Sequence, residues 1–326
     1  MRTVLRSALL CCLLLSSRTL ELRAQDVVTV DALRSLLQQV SNEGRWGEGD
    51  ELGTLNLITP ALRRAAASSV SDGVAVSLAH DLVPGANPNA LGPLEIDHIV
   101  APIGVATAAL DRFNLMYHGW AYSHLDALSH FAFDSTFYNG LGLDILSGDG
   151  AAKLNIGAMS QGIVGRGVLI DVPRLRGVDY LEPETLITAA DFEAWEAETG
   201  VRVSEGDILL VRTGRWAREA IEGTWSVRES SAGVHPSAAI WLHERGVAAL
   251  GGDAANDRKP SVVEGVGDPL HLLAIAGMGM PFFDNLDFEA LAVAAAERSR
   301  WHFLFVASPL RLEGASGSPI NPLAIF

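Results

Sequence analysis

The spacing of apolar side chains near the start of this chain predicts two helices. Residues 25–42 carry apolar residues at helical spacing, namely Val27, Val30, Leu33, Leu36, Leu37 and Val40. Thr59 and Pro60 then predict the start of a second helix that runs to Ala67, because proline fits the first turn of a helix. The chain therefore begins its folded part with helix, irregular loop and helix.

Strand-like segments take over after residue 73, and short apolar runs become the commonest signal. These runs lie at 74–78, 97–100, 165–171, 208–213, 247–250 and 303–308. Helical segments are predicted between the later runs, at 188–199, 235–245 and 288–300. A helix between two buried strands is typical of a crossover in a parallel sheet. The pattern predicts an α/β fold in one large domain.

The first residues have the pattern of an export signal. Arg2 and Arg6 precede a short apolar core, and Ala24 supplies a small residue where cleavage is expected. The apolar run is too short to span a bilayer. The alternative is an ordinary N-terminal helix. We predict a signal peptide over 1–24, a folded domain over 25–326, and a periplasmic or secreted protein.

The charge of the chain limits its partners. Removing the predicted signal takes away four positive charges and one negative charge, which changes the formal net charge from −15 to −18. A surface this acidic argues against nucleic acid and anionic membranes as partners. Both cysteines, Cys11 and Cys12, lie in the predicted signal, so the mature chain would have no thiol for a disulfide, a nucleophile or a metal ligand. The expected partner is a small-molecule substrate.

Three of the nine histidines fall close together around one aspartate. His124 and Asp126 share a face if the backbone is extended there. Asp126 and His130 share a face if a helical turn follows. His118 is harder to place because six extended residues span about 20 Å, but Gly119 permits the bend that would bring it back. The spacing predicts that these side chains converge where a strand gives way to a helix.

The apolar residues around this cluster favour a metal site. A single histidine is more often a hydrogen-bonded core or surface residue than a ligand. Here apolar side chains alternate with the ionisable groups, namely Leu125, Ala127, Leu128 and Phe131. Burying three ionisable groups among them costs on the order of several kcal/mol unless they are paired or bound to metal. Imidazole and carboxylate are ligands for a borderline divalent ion, so we expect Zn or Mn.

The pattern His124-x-Asp126-x-x-x-His130 resembles the core of a known family signature. The signature is H-x-G-T-H-x-D-x-P-x-H, from the cyclase/kynurenine formamidase family, which includes isatin hydrolases. The loop Gly44-Arg45-Trp46-Gly47 is similar to one in the closest branch of that family. The resemblance covers about residues 44–326.

This resemblance implies a fold, an activity and an assembly. The fold would be a swivelling β/β/α cyclase-like domain with a mixed sheet core. The activity would be metal-dependent hydrolysis of a small amide or cyclic amide, such as an N-formyl aryl amine or an isatin-like ring. His124, Asp126 and His118 would hold the metal, water activated by the metal would be the nucleophile, and His130 would be the general base and acid. A homodimer or larger homo-oligomer is implied.

The chain departs from the family signature at four positions. The first His of the signature falls on Trp120, its Gly on Tyr122, its Thr on Ser123 and its Pro on Leu128. One metal ligand is therefore missing from its usual place, and either His118 replaces it or the site binds metal differently. We expect Trp46, Trp120 and Tyr122 to form aromatic walls of a substrate pocket.

A second stretch resembles the distal motif of the family. In the formamidases a His on a helix and a later Glu serve a second metal; here these positions hold His271 and Asp284. Aspartate is one carbon shorter, so a second ion stays open, and His271 is also a candidate catalytic proton carrier. Asp253 and Asp257 follow a predicted strand, where α/β sheets often place ligands, but turn formation is the favoured interpretation.

Two other functions remain open from the sequence. The first is a secreted small-ligand-binding protein on the same fold with a decayed metal site. The second keeps the metal but performs a lyase or cyclisation reaction, since the same ion and base serve both.

Overall fold

The computed structural model describes residues 28–326 of the chain. The predicted signal peptide and both cysteines lie outside these residues, so the export prediction concerns a part of the chain that the structure does not describe.

The described residues contain fifteen strands, eight α-helical segments, four 3₁₀ turns and one π-helix. The strands are β1 (Ala75–Ser77), β2 (Glu95–Ile103), β3 (Ala106–Asn114), β4 (His124–Asp126), β5 (Leu146–Ser147), β6 (Gly150–Ala151), β7 (Ile163–Asp171), β8 (Leu186–Ile187), β9 (Ile208–Arg212), β10 (Gly233–Val234), β11 (Ala249–Gly252), β12 (Phe282–Asp284), β13 (His302–Ala307), β14 (Gly317–Pro319) and β15 (Leu323–Ile325). The α-helices are α1 (Val30–Val40), α2 (Pro60–Ser68), α3 (Val172–Arg176), α4 (Ala189–Thr199), α5 (Arg215–Glu222), α6 (Ala238–Arg245), α7 (Pro269–His271) and α8 (Glu289–Arg298). The 3₁₀ turns are Gly53–Leu57, Tyr138–Gly140, Leu143–Ile145 and Ile156–Met159, and a π-helix at Leu272–Met278 continues α7.

Nine of the strands form one mixed sheet in the order β1-β15-β13-β7-β9-β11-β12-β4-β14. Strands β7, β9, β11 and β12 are parallel to one another. The strands outside them on both sides pair antiparallel. This arrangement confirms the predicted α/β class with a mixed sheet core.

The centre of the sheet contains two fully buried strands. Every residue of β9 and of β11 is buried. Near-continuous apolar runs of this kind are expected for parallel strands that are covered on both faces. Helix α6 lies in the connection between β9 and β11, as the predicted crossover requires.

Helix boundaries follow the capping residues. Helix α1 begins at Val30, because Thr29 Oγ1 accepts a hydrogen bond from the Ala32 backbone N–H at 3.1 Å. The predicted start of this helix at residue 25 lies outside the described residues. Helix α4, which the sequence predicts over 188–199, begins with a capping box between Thr188 and Asp191. Such local signals decide where a helix starts better than apolar spacing does.

Strands β2 and β3 form a hairpin that the sequence predicts only in part. The two strands pair over nine positions in a separate two-stranded sheet. Their exposed apolar side chains include Val100, which is 74% exposed, and Phe113, which is 58% exposed. This hairpin carries the most conspicuous exposed apolar residues of the described chain. Among residues 28–326, no helix combines the length and the apolar character needed to cross a membrane.

Candidate metal centre

The site is built around β4, a three-residue strand that lies between β12 and β14. His124 and Asp126 are two positions apart in extended backbone and therefore point to the same face. His124 Nε2 lies 3.4 Å from Asp126 Oδ1. On β12, Asp284 is the residue directly paired with His124, and its Oδ2 lies 4.0 Å from the same Nε2. Cross-strand pairing thus adds a second carboxylate to the face.

His118 reaches this face because the chain reverses after it. Gly119 has φ +113°, a conformation that side chains with a Cβ rarely adopt. The bend brings His118 Nδ1 to 3.1 Å from Asp126 Oδ1. The structure therefore places His118 beside the strand pair despite the six residues that separate it from His124.

His130 approaches Asp126 from a turn and not from the predicted helix. Residues 127–130 form a turn in which the His130 N–H donates to the Ala127 carbonyl at 3.0 Å, so the expectation of a helix after Asp126 is wrong. The turn still places His130 Nε2 3.8 Å from Asp126 Oδ2. The His130 ring also stacks on His118 with centroids 4.1 Å apart. A single tight turn is therefore enough to bring the side chain of His130 back to that of Asp126, four positions earlier.

The distal motif meets the same carboxylate from the other side. His271, in α7, places its Nε2 3.7 Å from Asp126 Oδ2 and 3.2 Å from Asp284 Oδ2. Thus His118, His124, His130 and His271 all face Asp126. The structure brings together every residue that the sequence assigned to metal binding or catalysis.

In three of the four imidazoles, the ring nitrogen that does not face Asp126 has a hydrogen-bond partner. His124 Nδ1 donates to the Tyr122 carbonyl at 2.8 Å, which leaves Nε2 as the nitrogen that faces the carboxylates. His118 Nε2 is 3.2 Å from Ser316 Oγ, and His271 Nδ1 is 2.6 Å from an Asp257 oxygen. Outer hydrogen bonds of this kind fix ring orientation in histidines that bind metal. Among the described residues, no such bond is recorded for His130.

The surroundings of the Asp126 side chain test whether a metal ion fits this site. Its side chain is fully buried, and neither carboxylate oxygen has a hydrogen-bond partner among the described residues. His118 Nδ1 is also buried without one. A buried carboxylate left in this state costs on the order of several kcal/mol, and a cation between the donors would satisfy it. The donor atoms of His118, Asp126 and His130, and separately those of His124, Asp126 and Asp284, lie within 4.8 Å of one another.

The donor types restrict which metal the centre could hold. Two or more imidazoles with one or two carboxylates suit Zn and Mn better than Ca or Mg, which prefer oxygen ligands. Ligand atoms of a further group, Asp257, Asp268 and His271, also lie within 4.8 Å of one another. There, however, Lys259 pairs with Asp268 and His271 already donates to Asp257, so these groups are satisfied without an ion.

The electrostatics of the site shift the pKa values of His130 and His271 in opposite directions. Burial opposes the charged form of Asp126, but His130, His124 and His118 hold the pKa of its carboxyl well below the ordinary value. Burial lowers the pKa of His130 to about 4, although Asp126 opposes this. Burial also disfavours a charged His271, yet Asp284 and Asp257 raise its pKa well above the ordinary value. A neutral His130 beside an ionised Asp126 is in the correct state to accept a proton.

Two aromatic residues that the sequence analysis did not assign to the pocket line the centre. Tyr117 lies 4.5 Å from His118, centroid to centroid, and its hydroxyl donates to the Gly317 carbonyl at 2.8 Å. Phe131 lies 4.7 Å from His130 and 5.1 Å from His271. The signal was present in the sequence, since both residues directly adjoin a histidine of the cluster.

The three residues predicted to form the walls of the substrate pocket make other contacts. Trp46 is half-buried, with the Arg45 guanidinium 4.7 Å from its ring centroid. Trp120 is also half-buried and lies 5.4 Å from the Arg228 guanidinium. Tyr122 is buried in a small apolar cluster at the base of the hairpin. No ring contact joins any of the three to the imidazoles within residues 28–326, and their role in substrate binding stays a prediction.

Asp253 and Asp257 both do more than form turns. Asp253 accepts hydrogen bonds from the backbone N–H groups of Thr213, Gly214 and Arg215 and from the Thr213 hydroxyl. Asp257 orients His271. The sequence signal for a role of these residues is their position after β11, at the carboxyl edge of the parallel strands. The sequence does not identify the groups that hydrogen-bond to either carboxylate.

The chain matches the sequence model of a known protein family. The sequence model of the family described as "Putative cyclase" matches residues 70–256, more than half of the 326-residue chain. The match includes the histidine cluster and ends before the distal motif. A search of curated proteins finds no match.

Several solved structures share the fold. A crystal structure described as a novel cyclase is 29% identical with a TM-score of 0.79, over 88% of this chain and 99% of that chain. Isatin hydrolase A from Ralstonia solanacearum is 22% identical with a TM-score of 0.54, over 81% and 95%. An isatin hydrolase bound to the product analogue thioisatinate is 20% identical with a TM-score of 0.52, over 77% and 92%. These similarities confirm the predicted cyclase-like fold.

Proposed function

The chain belongs to the Cyclase family, and from this premise we propose that it is a metal-dependent hydrolase of a small amide or cyclic amide. The observation that carries the proposal is the Asp126 carboxylate, which is buried, has no hydrogen-bond partner among residues 28–326 and is faced by four imidazoles. A packed protein core gives no reason for this arrangement, whereas a divalent cation does.

The residues have distinct roles in this proposal. His118, His124 and Asp126 hold the metal, and His271 with Asp284 complete the donor set or hold a second ion. When bound, the metal would polarise the carbonyl of the substrate and acidify water. Asp284 takes the position of the family glutamate and reaches the site because β12 places it opposite His124.

His130 carries the proton in the proposed reaction. Water adds to the amide carbonyl carbon, and His130 Nε2 accepts the proton that this water loses. The carbon–nitrogen bond then breaks, and His130 donates the proton to the leaving nitrogen. A low pKa keeps His130 neutral before the reaction, as a general base requires. Tyr117 and Phe131 place aromatic rings beside His118 and His130.

The proposed substrate is an N-formyl aryl amine or an isatin-like ring. Two of the similar structures are isatin hydrolases, which supports a cyclic aromatic amide. The aromatic rings of Tyr117 and Phe131 beside the histidines supply flat apolar surfaces for such a ring.

One experiment tests the proposal as a whole. Protein purified without added ions is analysed for metal, and then assayed against N-formyl aryl amines, isatin and lactams with added Zn or Mn. We expect about one equivalent of metal and hydrolysis of at least one compound class. Protein that takes up no metal under either condition contradicts the proposal and favours the ligand-binding alternative.

We also propose that the protein is exported and forms a homo-oligomer. Export is supported by the signal-like pattern at 1–24. Self-association is supported by the apolar side chains that the hairpin of β2 and β3 exposes, because a two-stranded hairpin is marginally stable without further packing.

A further inference from the structure

Two consecutive residues after β11 contact both members of the distal motif. Asn256 Nδ2 donates to Asp284 Oδ1 at 2.6 Å and to the Phe283 carbonyl at 3.2 Å. Asp257 Oδ2 accepts from His271 Nδ1 at 2.6 Å. Asn256 and Asp257 are 4% and 1% exposed, so neither contact competes with bulk water.

Asp257 also fixes the backbone that carries His271. Its Oδ1 accepts from the Leu270 N–H at 2.8 Å, and its Oδ2 accepts from the His271 N–H at 3.1 Å. One carboxylate therefore holds the first turn of α7 and the imidazole ring together. A carboxylate of this kind satisfies N–H groups that a helix start leaves without partners.

The backbone at Asn256 is in the left-handed region, with φ +47°. Residues with a Cβ rarely adopt this conformation, although asparagine tolerates it better than most. In a regular strand, consecutive side chains point to opposite faces. Here the two consecutive side chains reach Asp284 and His271, whose facing atoms are only 3.2 Å apart. An unfavourable backbone conformation held by buried contacts is a reason to look for a functional role.

We propose that Asn256 and Asp257 form a positioning unit that aims Asp284 and His271 at Asp126. The inference rests on the proposed function, since it takes the face of Asp126 as the metal centre. Asp257 is an acceptor only, so His271 Nδ1 must donate to it and Nε2 is the nitrogen that faces the centre. Asn256 holds one oxygen of Asp284 and leaves the other, Oδ2, toward His124 and His271.

The first test is a spectroscopic signature in the metal-free protein. A buried imidazole N–H that donates to a carboxylate at 2.6 Å should give a far-downfield proton resonance in slow exchange with water. We expect this resonance in the wild type, its loss in His271→Gln and an upfield shift in Asp257→Asn. The matched control is Asp268→Asn, which removes a nearby carboxylate that pairs with Lys259 and not with His271, and it should keep the resonance. An unshifted resonance in Asp257→Asn overturns the inference.

The second test is a double-mutant cycle on zinc affinity, measured by competition with a chromophoric chelator. Asp257→Asn and Asn256→Ala should each weaken binding by roughly 10–100-fold. Asp257→Asn should have no further effect in a His271→Gln background, because a residue that acts through His271 has nothing left to position. Effects that add in the double variant, or wild-type affinity in both single variants, contradict the unit. Wild-type protein that binds no zinc contradicts the proposed function instead, and the resonance then decides the inference alone.

Discussion

At the scale of single residues, the hydrogen bonds of the imidazole nitrogens support the proposed division between metal ligands and a proton carrier. His118, His124 and His271 each have one nitrogen fixed by a neighbour, which leaves the other directed at Asp126. A ligand gains from such fixation, because the ring is oriented before the ion arrives. Among residues 28–326, no neighbour fixes a nitrogen of His130 in this way, and burial lowers its pKa, so the ring is neutral at neutral pH and able to accept a proton.

This distinction predicts the behaviour of His130→Ala. The variant should keep its metal, because the remaining imidazoles and carboxylates still surround Asp126. Turnover should fall about 10²–10⁴-fold, the usual contribution of a general acid–base group. Metal content and turnover are measured on the same preparation. Loss of the metal in His130→Ala would assign this residue to the ligands.

At the scale of elements, the sequence predicts some contacts of the site and misses others for physical reasons. The strand periodicity places His124 and Asp126 on one face, and a glycine permits the return of His118. The sequence predicts a helix after Asp126 where the structure has a turn, because a turn and a helix both bring positions i and i+4 close. The approach of Asp284 depends on the pairing of β12 with β4, which joins residues far apart in the chain and leaves no local pattern.

Strand β14 positions His118 through a close contact that sequence does not show. A Cβ on Gly317 would lie 2.6 Å from the Leu125 carbonyl oxygen and 2.8 Å from His118 Cε1. Gly317→Ala should therefore displace His118 and weaken metal binding by roughly 10–100-fold. The control is Gly148→Ala, where the added Cβ meets no atom within 4 Å. Equal metal affinities in the two variants would show that β14 does not support the site.

The turn after β9 depends on Asp253, which satisfies three buried backbone N–H groups and one hydroxyl. Asp253→Ala leaves these donors without partners and should lower the free energy of unfolding by about 3 kcal/mol or more. Asp111→Ala, which removes an exposed carboxylate of the hairpin, should change it by less than about 1 kcal/mol. Chemical denaturation of both variants measures the difference, and similar losses would be inconsistent with this role of Asp253.

At the scale of the whole molecule, the apolar runs predict the buried strands and the α/β class, but not their order in the sheet. The parallel strands β7, β9 and β11 overlap the three runs at 165–171, 208–213 and 247–250, although β11 begins two residues later than its run. Four of the five antiparallel strands of the sheet, namely β1, β4, β14 and β15, are only three residues long, too short for a periodic signal. The order therefore had to come from three-dimensional packing.

The hairpin of β2 and β3 leads to a prediction about assembly. Val100 and Phe113 are exposed on it, and large exposed apolar patches are typical of protein interfaces. Light scattering should give a mass above that of one chain, and Val100→Lys combined with Phe113→Lys should shift the protein toward the monomer. A wild-type protein that is monomeric at all concentrations contradicts the proposed homo-oligomer.

The measurement that tests the account most directly is the metal content of His124→Ala beside that of His98→Ala. His124 is buried against Asp126, whereas His98 is exposed on the hairpin and pairs with Asp111. Both variants and the wild type are purified without added ions and analysed by mass spectrometry for Zn and Mn. The account predicts that His98→Ala keeps the wild-type content and that His124→Ala loses it. Full metal occupancy in His124→Ala would contradict a metal centre at this strand.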